Sequence, residues 1–341
     1  MRVVVLALLL ASRQVSAQEE PTTNRSTRYD EALATKLLHL SGAAYGAKQK
    51  ECIENTFPIE EERFLFTSTE AVCDILDSSA KYYLGQLLME GWDTYGVGSD
   101  FIGMGKVNRY FLKAQDQLWR AVLELLARFE YRDHSLIFTG HSLGGAMAAL
   151  AAARTVKQGY RPASAVKLYT FGQPRTGSYE FEMNYDKLGI ESYRVVYASD
   201  IVPHQPFCRK DLFAPANKDG SRPCRASKDD EAYHHGVEIW YPESMKTGSL
   251  YLECLGQPKN EDMDCSDSLT FDEFLDKLNW TLDTASNMDA FVWDHKHYFD
   301  VMVSGFGKSG CSDRLIGSEP PTQSLASKVI SDVWGALGKL G

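Results

Sequence analysis

Apolar positions along the chain follow two patterns, one at helical spacing and one as short continuous runs. Between Tyr29 and Ala47, residues Leu33, Leu37, Leu38, Leu40 and Ala44 recur at helical spacing and predict an amphipathic helix. Leu112 to Phe129 repeats the pattern with Trp119, Val122, Leu125 and Leu126. The run Ser135-Leu136-Ile137-Phe138-Thr139 is short and apolar, and a glycine-bearing turn joins it to the alanine-rich segment Ala146 to Ala153. That order predicts strand, tight turn, helix. Further strands are expected at Val166 to Phe171, Ser192 to Tyr197 and Val237 to Tyr241. Strands interleaved with helices specify an α/β architecture, a mostly parallel sheet covered on both faces.

The two ends of the chain depart from this pattern. Arg2 precedes the apolar run Val3 to Ala11 and then the small-residue pattern Val15-Ser16-Ala17, so residues 1–17 read as a secretory signal peptide. The run is far shorter than the roughly 20 residues a spanning helix needs, and no later stretch is long enough. Residues 18–313 then form the globular unit. Residues 314–341 hold a linker, Gly317 to Thr322, and an amphipathic helix from Leu325 to Leu340 whose apolar face carries Leu325, Val329, Ile330, Val333, Trp334 and Leu337. Docking on the domain surface is the expected role of that helix, because its polar face is not strongly basic. Arg209 to Glu231, rich in charge, Pro and Gly, reads as a surface loop held by its cysteines.

Charge and cysteines narrow the partners and the compartment. The net charge is -10 over 341 residues, and loss of Arg2 and Arg13 with the leader takes it to about -12. This argues against nucleic acid and against adsorption to anionic membranes by net charge. Seven cysteines in a secreted chain imply disulfides with one thiol left over. Proximity suggests Cys208 with Cys224 and Cys254 with Cys265; Cys52 with Cys311 would tie the ends of the domain, leaving Cys73 alone. The sequons at Asn24 and Asn279 fit the same extracellular compartment, although short sequons also arise by chance.

Candidate chemistry centres on Gly140-His141-Ser142-Leu143-Gly144, a nucleophile elbow in the strand-turn-helix setting such a motif requires. Small flanking residues let helix approach strand and project the Ser142 hydroxyl, while the Leu143 N–H and the helix N-terminus face a developing oxyanion. The acid and base of such a site follow the serine in the chain. Asp200, after the strand Ser192 to Tyr197, is the best acid, with a turn-capping role before Pro203 as the alternative. For the base, chain order leaves His204, His234, His235, His295 and His297. His295 is preferred because its segment is the last to carry histidine and ends in aromatics able to pin a loop. His234 and His235 read as a polar loop entering a strand.

These residues resemble the fungal-type class 3 lipase family, including its secreted nematode members, from about Leu33 to Cys311. The likeness rests on Ser41-Gly42-Ala43-Ala44-Tyr45, the elbow through Ala146, Thr170-Phe171-Gly172-Gln173-Pro174-Arg175, Asp200-Ile201-Val202-Pro203, His234 to Trp240, and His295 followed by His297-Tyr298-Phe299. The resemblance implies an α/β-hydrolase fold, Asp200 as acid and His295 as base. It further implies an acyl-serine intermediate, a neutral lipid ester as substrate, usually an acylglycerol, and no metal or cofactor. Thr170 to Arg175 resembles a segment that shapes the site wall, with a structural role.

One departure affects both fold and chemistry. The family carries, before the helix that precedes the nucleophile, an apolar strand ending in Phe-Arg-Gly-Thr or Phe-Arg-Gly-Ser, whose hydroxyl residue supplies a second oxyanion donor. Here Cys73 to Leu84 runs directly into Gly85 to Trp92 with no such motif. One missing donor is worth about 10² to 10³ in turnover. A missing central strand is more serious unless Tyr82 to Met89 substitutes for it. Leu84, Leu87, Leu88 and Met89 read equally as a lipid-facing lid or as ordinary core. Two readings follow: a secreted esterase or triacylglycerol lipase acting at a lipid-water interface, and a catalytically impaired lipase-like protein that binds lipid or is non-functional.

Overall fold

A computed structural model describes the backbone of residues 2–4, 8–10 and 70–72, and residues 27–57, 98–216, 222–226, 232–256, 259–268 and 293–317 in full. Strands β1 (Arg2–Val4) and β3 (Glu70–Val72) pair with each other. The main sheet uses β2 (Leu8–Leu10), β6 (Ser135–His141), β7 (Val166–Phe171), β9 (Glu191–Tyr197), β11 (Val237–Tyr241) and β12 (Leu252–Cys254). Their spatial order is β12-β11-β9-β7-β6-β2. The four inner strands run parallel, and the two outer ones are antiparallel to their neighbours. A small sheet joins β4 (Ser99–Asp100), β5 (Lys106–Val107), β8 (Gly177–Ser178) and β10 (Ala232–Tyr233), and β13 (His297–Tyr298) pairs with β14 (Val301–Met302).

Alternation along the inner strands builds two cores, because successive side chains point to opposite faces. Ile137, Tyr169, Phe171, Tyr193, Val195, Ile239 and Tyr241 meet α1 (Glu31–Ala43) and α6 (Val303–Lys308) on one face. Leu136, Phe138, Val166 and Leu168 meet α3 (Arg109–Leu126) and α4 (Leu143–Lys157) on the other. The run from Ala146 to Ala153 is buried throughout, so small side chains bring α4 close to the sheet. Helix ends are set by sequence: Asp30 accepts from the Leu33 amide at α1, and Asn108 accepts from Tyr110 and Phe111 at α3. The cap Ser178 does the same for α5 (Tyr179–Lys187), an element the apolar pattern did not predict, as is α2 (Gln49–Thr56).

Disulfides join Cys52 to Cys311, Cys208 to Cys224 and Cys254 to Cys265, the three pairings expected. The first ties α2 to the segment after α6 across 259 residues of sequence. Among the described residues, β6 has Leu8–Leu10 along its outer edge, where the sequence suggested that a strand was missing. Tyr82 to Met89, Cys73, both sequons and the helix Leu325 to Leu340 lie outside the described residues. No described helix is long and apolar enough to cross a membrane.

Candidate active site

The carboxyl ends of three adjacent parallel strands deliver the site. His141 ends β6 opposite Phe171 of β7, and Phe171 in turn lies opposite Val195 of β9. Ser142 follows at once, with φ 58° and ψ -132°, a conformation rare for a residue with a side chain. Its amide donates to the Phe171 carbonyl at 2.8 Å and its carbonyl accepts from Gly145, which pins the bend. Gly140 is required there, since a Cβ would stand 2.2 Å from the Gly144 carbonyl oxygen. Gly144 is different: among the described residues a Cβ would meet nothing within 4 Å. The expected packing role belongs to Gly140 and to Gly145, whose Cβ would touch Gln173 at 3.0 Å, and no described residue requires a glycine at 144.

Ser142 Oγ lies 2.9 Å from His295 Nε2, and His295 Nδ1 lies 3.1 and 3.0 Å from the two carboxylate oxygens of Asp200. The structure thus brings together the three residues singled out in the sequence. Asp200 is fully buried and His295 nearly so, while Ser142 is half-buried. Burial alone would push the Asp200 carboxyl up. The His295 charge and hydrogen bonds from His295, Tyr298 and the Val202 amide outweigh it and hold Asp200 below its ordinary range. Tyr298 Oη donates to Asp200 Oδ2 at 2.6 Å. Leu143 opens α4, where helix geometry leaves its N–H without an intrahelical acceptor.

Sequence reasoning missed three supports of this constellation. Gly172 has φ +56°, and a Cβ on it would sit 2.6 Å from Asp200 Oδ2 and 2.9 Å from His295 Nδ1. Its φ is the signal; its place in a family-like segment had suggested only a wall. His141 stacks on His295 at 4.6 Å between centroids, its Nε2 2.7 Å from the His295 carbonyl. A carbonyl only accepts, so Nε2 carries the proton and Nδ1 accepts from Tyr45 Oη at 2.7 Å. Burial first, and the His295 charge second, lower His141 to about 3, keeping that ring neutral. Tyr298 is the third, foreshadowed by the aromatics after His295.

The other candidate bases are engaged elsewhere. His297 turns its nitrogens to the Trp293 and Gly317 carbonyls. His204 faces Asp267 at 3.3 Å. His234 and His235, read as a polar loop, are instead buried: His234 lies 3.0 Å from Glu261, and His235 lies 3.6 Å from Glu182. A loop at a strand's amino end is driven inside here because Arg175 and Arg194 supply buried partners for the carboxylates. Leu84, Leu87, Leu88 and Met89 fall outside the described residues.

A parallel sheet clad by helices, with a serine on a strained strand-to-helix bend, defines an α/β-hydrolase. Solved structures agree on the fold: a lipase from Rhizopus microsporus var. chinensis matches with TM-score 0.54 at 21% identity, over 83% of this chain and 93% of that one. A Rhizomucor miehei lipase propeptide complex gives 0.55 at 21%, over 80% and 81%. The family model "Lipase (class 3)" matches residues 78–210. A lipase of Caenorhabditis elegans is 38% identical across 97% of this chain and 96% of its own length. The chain belongs to the class 3 lipase family and is by that kinship a lipase-type ester hydrolase. A rice phospholipase A1 is 36% identical over a shorter stretch, 27% of this chain and 26% of its own.

Proposed function

We propose that this protein is a secreted serine esterase that cleaves carboxylic esters of neutral lipids, acylglycerols in particular, through an acyl-serine intermediate. The reading is carried by the continuous chain of hydrogen bonds from Ser142 Oγ through His295 to Asp200. His295 Nε2 takes the Ser142 proton as Oγ adds to the ester carbonyl carbon, and the carbonyl π pair moves to oxygen to give an oxyanion. The Leu143 N–H and the positive end of α4 receive that charge. Collapse expels the alkoxide, which leaves with the proton held by His295; water then repeats the sequence and releases the fatty acid. Asp200 stays ionised throughout, orienting the imidazole and balancing its transient charge. Secretion is supported by the leader-like first 17 residues and by three disulfides, which persist in oxidising compartments. On this reading β1 and β2 leave with the leader, and the secreted chain keeps the strand order β12-β11-β9-β7-β6.

The test is hydrolysis of emulsified triacylglycerol and of a soluble short-chain ester, with Ser142→Ala as control. We expect the variant to lose at least about 10⁴ in kcat/KM and to escape labelling by an alkyl phosphonate that marks the wild-type serine. The absent Phe-Arg-Gly-Thr segment favours a second reading, an impaired lipid-binding relative. Wild-type hydrolysis no faster than Ser142→Ala would select it.

A further inference from the structure

The loop closed by Cys208–Cys224 presents the most exposed large apolar residue among those described: Phe213 is 101% exposed, and its neighbour Leu212 is 75% exposed. Ala214, Pro215 and Ala216 continue the apolar stretch. A Phe-Leu pair left in water is unfavourable unless another phase receives it. The pair is held out by a built turn. Lys210 bridges antiparallel to Cys224, Asp211 N–H donates to Pro223 O at 2.8 Å, and Arg225 N–H donates to Arg209 O at 2.7 Å. At the tip, Asp211 accepts from Phe213 N–H through Oδ1 and from Ala214 N–H through its carbonyl, while the Arg222 guanidinium donates to the Leu212 and Ala214 carbonyls. The Phe213 and Ala214 amides and the Leu212 and Ala214 carbonyls are therefore satisfied from within the loop, which lowers the cost of moving this turn into a layer that offers few hydrogen bonds.

The hairpin and the candidate site share one end of the molecule. The chain leaves the carboxyl end of β9, passes Asp200 and the turn Val202–His204, and enters the hairpin at Cys208. Cys208 and Cys224 pack with Tyr233 against Tyr179 and Met183 of α5, a helix that starts beyond the carboxyl end of β7. Among the described residues of the hairpin and its flank, Arg209, Lys210, Arg222 and Arg225 stand against Asp211, in a chain of net charge -10. At physiological ionic strength the Debye length is about 8 Å, so a surface touching the tip senses the nearest charges, these four cations among them, more than the net charge of the chain.

We propose that the Cys208–Cys224 hairpin is an interfacial anchor that inserts Leu212 and Phe213 into an anionic lipid surface and holds the candidate site against it. The inference rests on the lipid-ester reading above, but binding tests it independently of turnover. The full chain carrying Ser142→Ala is sedimented with vesicles of phosphatidylcholine, alone or mixed with phosphatidylglycerol. Leu212→Ser with Phe213→Ser lowers partitioning onto both by about 10²-fold, the scale of two large apolar side chains. Arg209→Gln lowers it about fivefold on the anionic vesicles and leaves the neutral ones unchanged. In the chain with its serine intact, the double substitution leaves soluble-ester hydrolysis unaltered and slows hydrolysis of emulsified ester. Independently, Phe213→Trp gives an emission component that shifts to the blue on anionic vesicles. Unchanged partitioning of the double variant, absence of that shift, or loss of self-association in place of vesicle binding would overturn the anchor. Failure of the wild type to cleave a soluble ester would sink the esterase reading and leave the vesicle result standing.

Discussion

Buried histidine and carboxylate meet around Ser142 and again around Arg175, and the difference between the two places shows what turns such residues into a reactive site. Around Ser142, an imidazole has one nitrogen on a carboxylate and the other on a half-buried hydroxyl. Around Arg175, the guanidinium binds Glu261 at 2.9 and 2.7 Å and Asp267 at 3.2 Å, with His234 and His204 against the same carboxylates. Arg175 holds Glu261 well below the usual carboxylate range, while burial first, and the Glu261 charge second, push the Asp267 carboxyl well above it. Burial first, then the Arg194 and Arg175 charges, lower His234, and His204 falls to about 4. These imidazoles are enclosed and neutral, and among the described residues no hydroxyl on a strained bend meets them. Residue type is common to both assemblies; an accessible nucleophile belongs to only one.

Three substitutions would break or sharpen that comparison. Gly172→Ala should have the largest effect, because the new methyl would occupy the space of the Asp200–His295 hydrogen bond. We expect kcat/KM to fall by about 10⁴, the scale seen when the orienting acid of a serine hydrolase is lost; a near-normal rate would detach Asp200 from the chemistry. Glu261→Ala should act on stability instead. Leaving Arg175 and His234 without their main partner costs about 3–5 kcal/mol in chemical denaturation, with the soluble-ester rate of the folded fraction retained. Loss of rate without loss of stability would make the second assembly part of the reaction.

The smallest effect concerns Asp294, which accepts the Ser199 amide at 3.0 Å and so ties the segment before His295 to the segment before Asp200. Burial, reinforced by the Asp200 charge against the Ser199 hydrogen bond, raises its carboxyl from 3.8 to about 7. An acid raised on folding keeps its proton where the unfolded chain has lost it, so its stabilisation fades as pH climbs through the folded value. Asp294→Asn retains an acceptor and cannot ionise. Its melting temperature, relative to wild type, should therefore rise between about pH 5 and about pH 8. A flat difference would show that the carboxyl does not titrate in this window.

Much of the site was legible before any coordinates. The elbow announces itself because strand, glycine-flanked serine and helix are contiguous, and chain order then restricts the acid and base to a few residues downstream. The supports were hidden for a different reason. Gly172, Tyr45 and His141 matter through a positive φ or through contacts made across the sheet, neither of which leaves a periodic trace. His234 and His235 misled because their polarity matched a loop, while their burial depends on Arg175 and Arg194, far away in sequence. The small elements of two or three residues, such as β8 and β10, are too short to carry a pattern at all.

Sequence by itself determined the parallel strands, the two long helices before and after the nucleophile strand and the nucleophile bend, and proximity suggested two of the three cysteine pairings, since each follows from local periodicity, turn chemistry or nearness along the chain. Only the tertiary structure decided which histidine meets the serine, which glycine leaves room for the acid, and that a short Leu-Phe turn stands in solvent. Those outcomes depend on where carboxyl ends of non-adjacent segments converge, and convergence is set by the packing of the whole sheet rather than by any stretch of it.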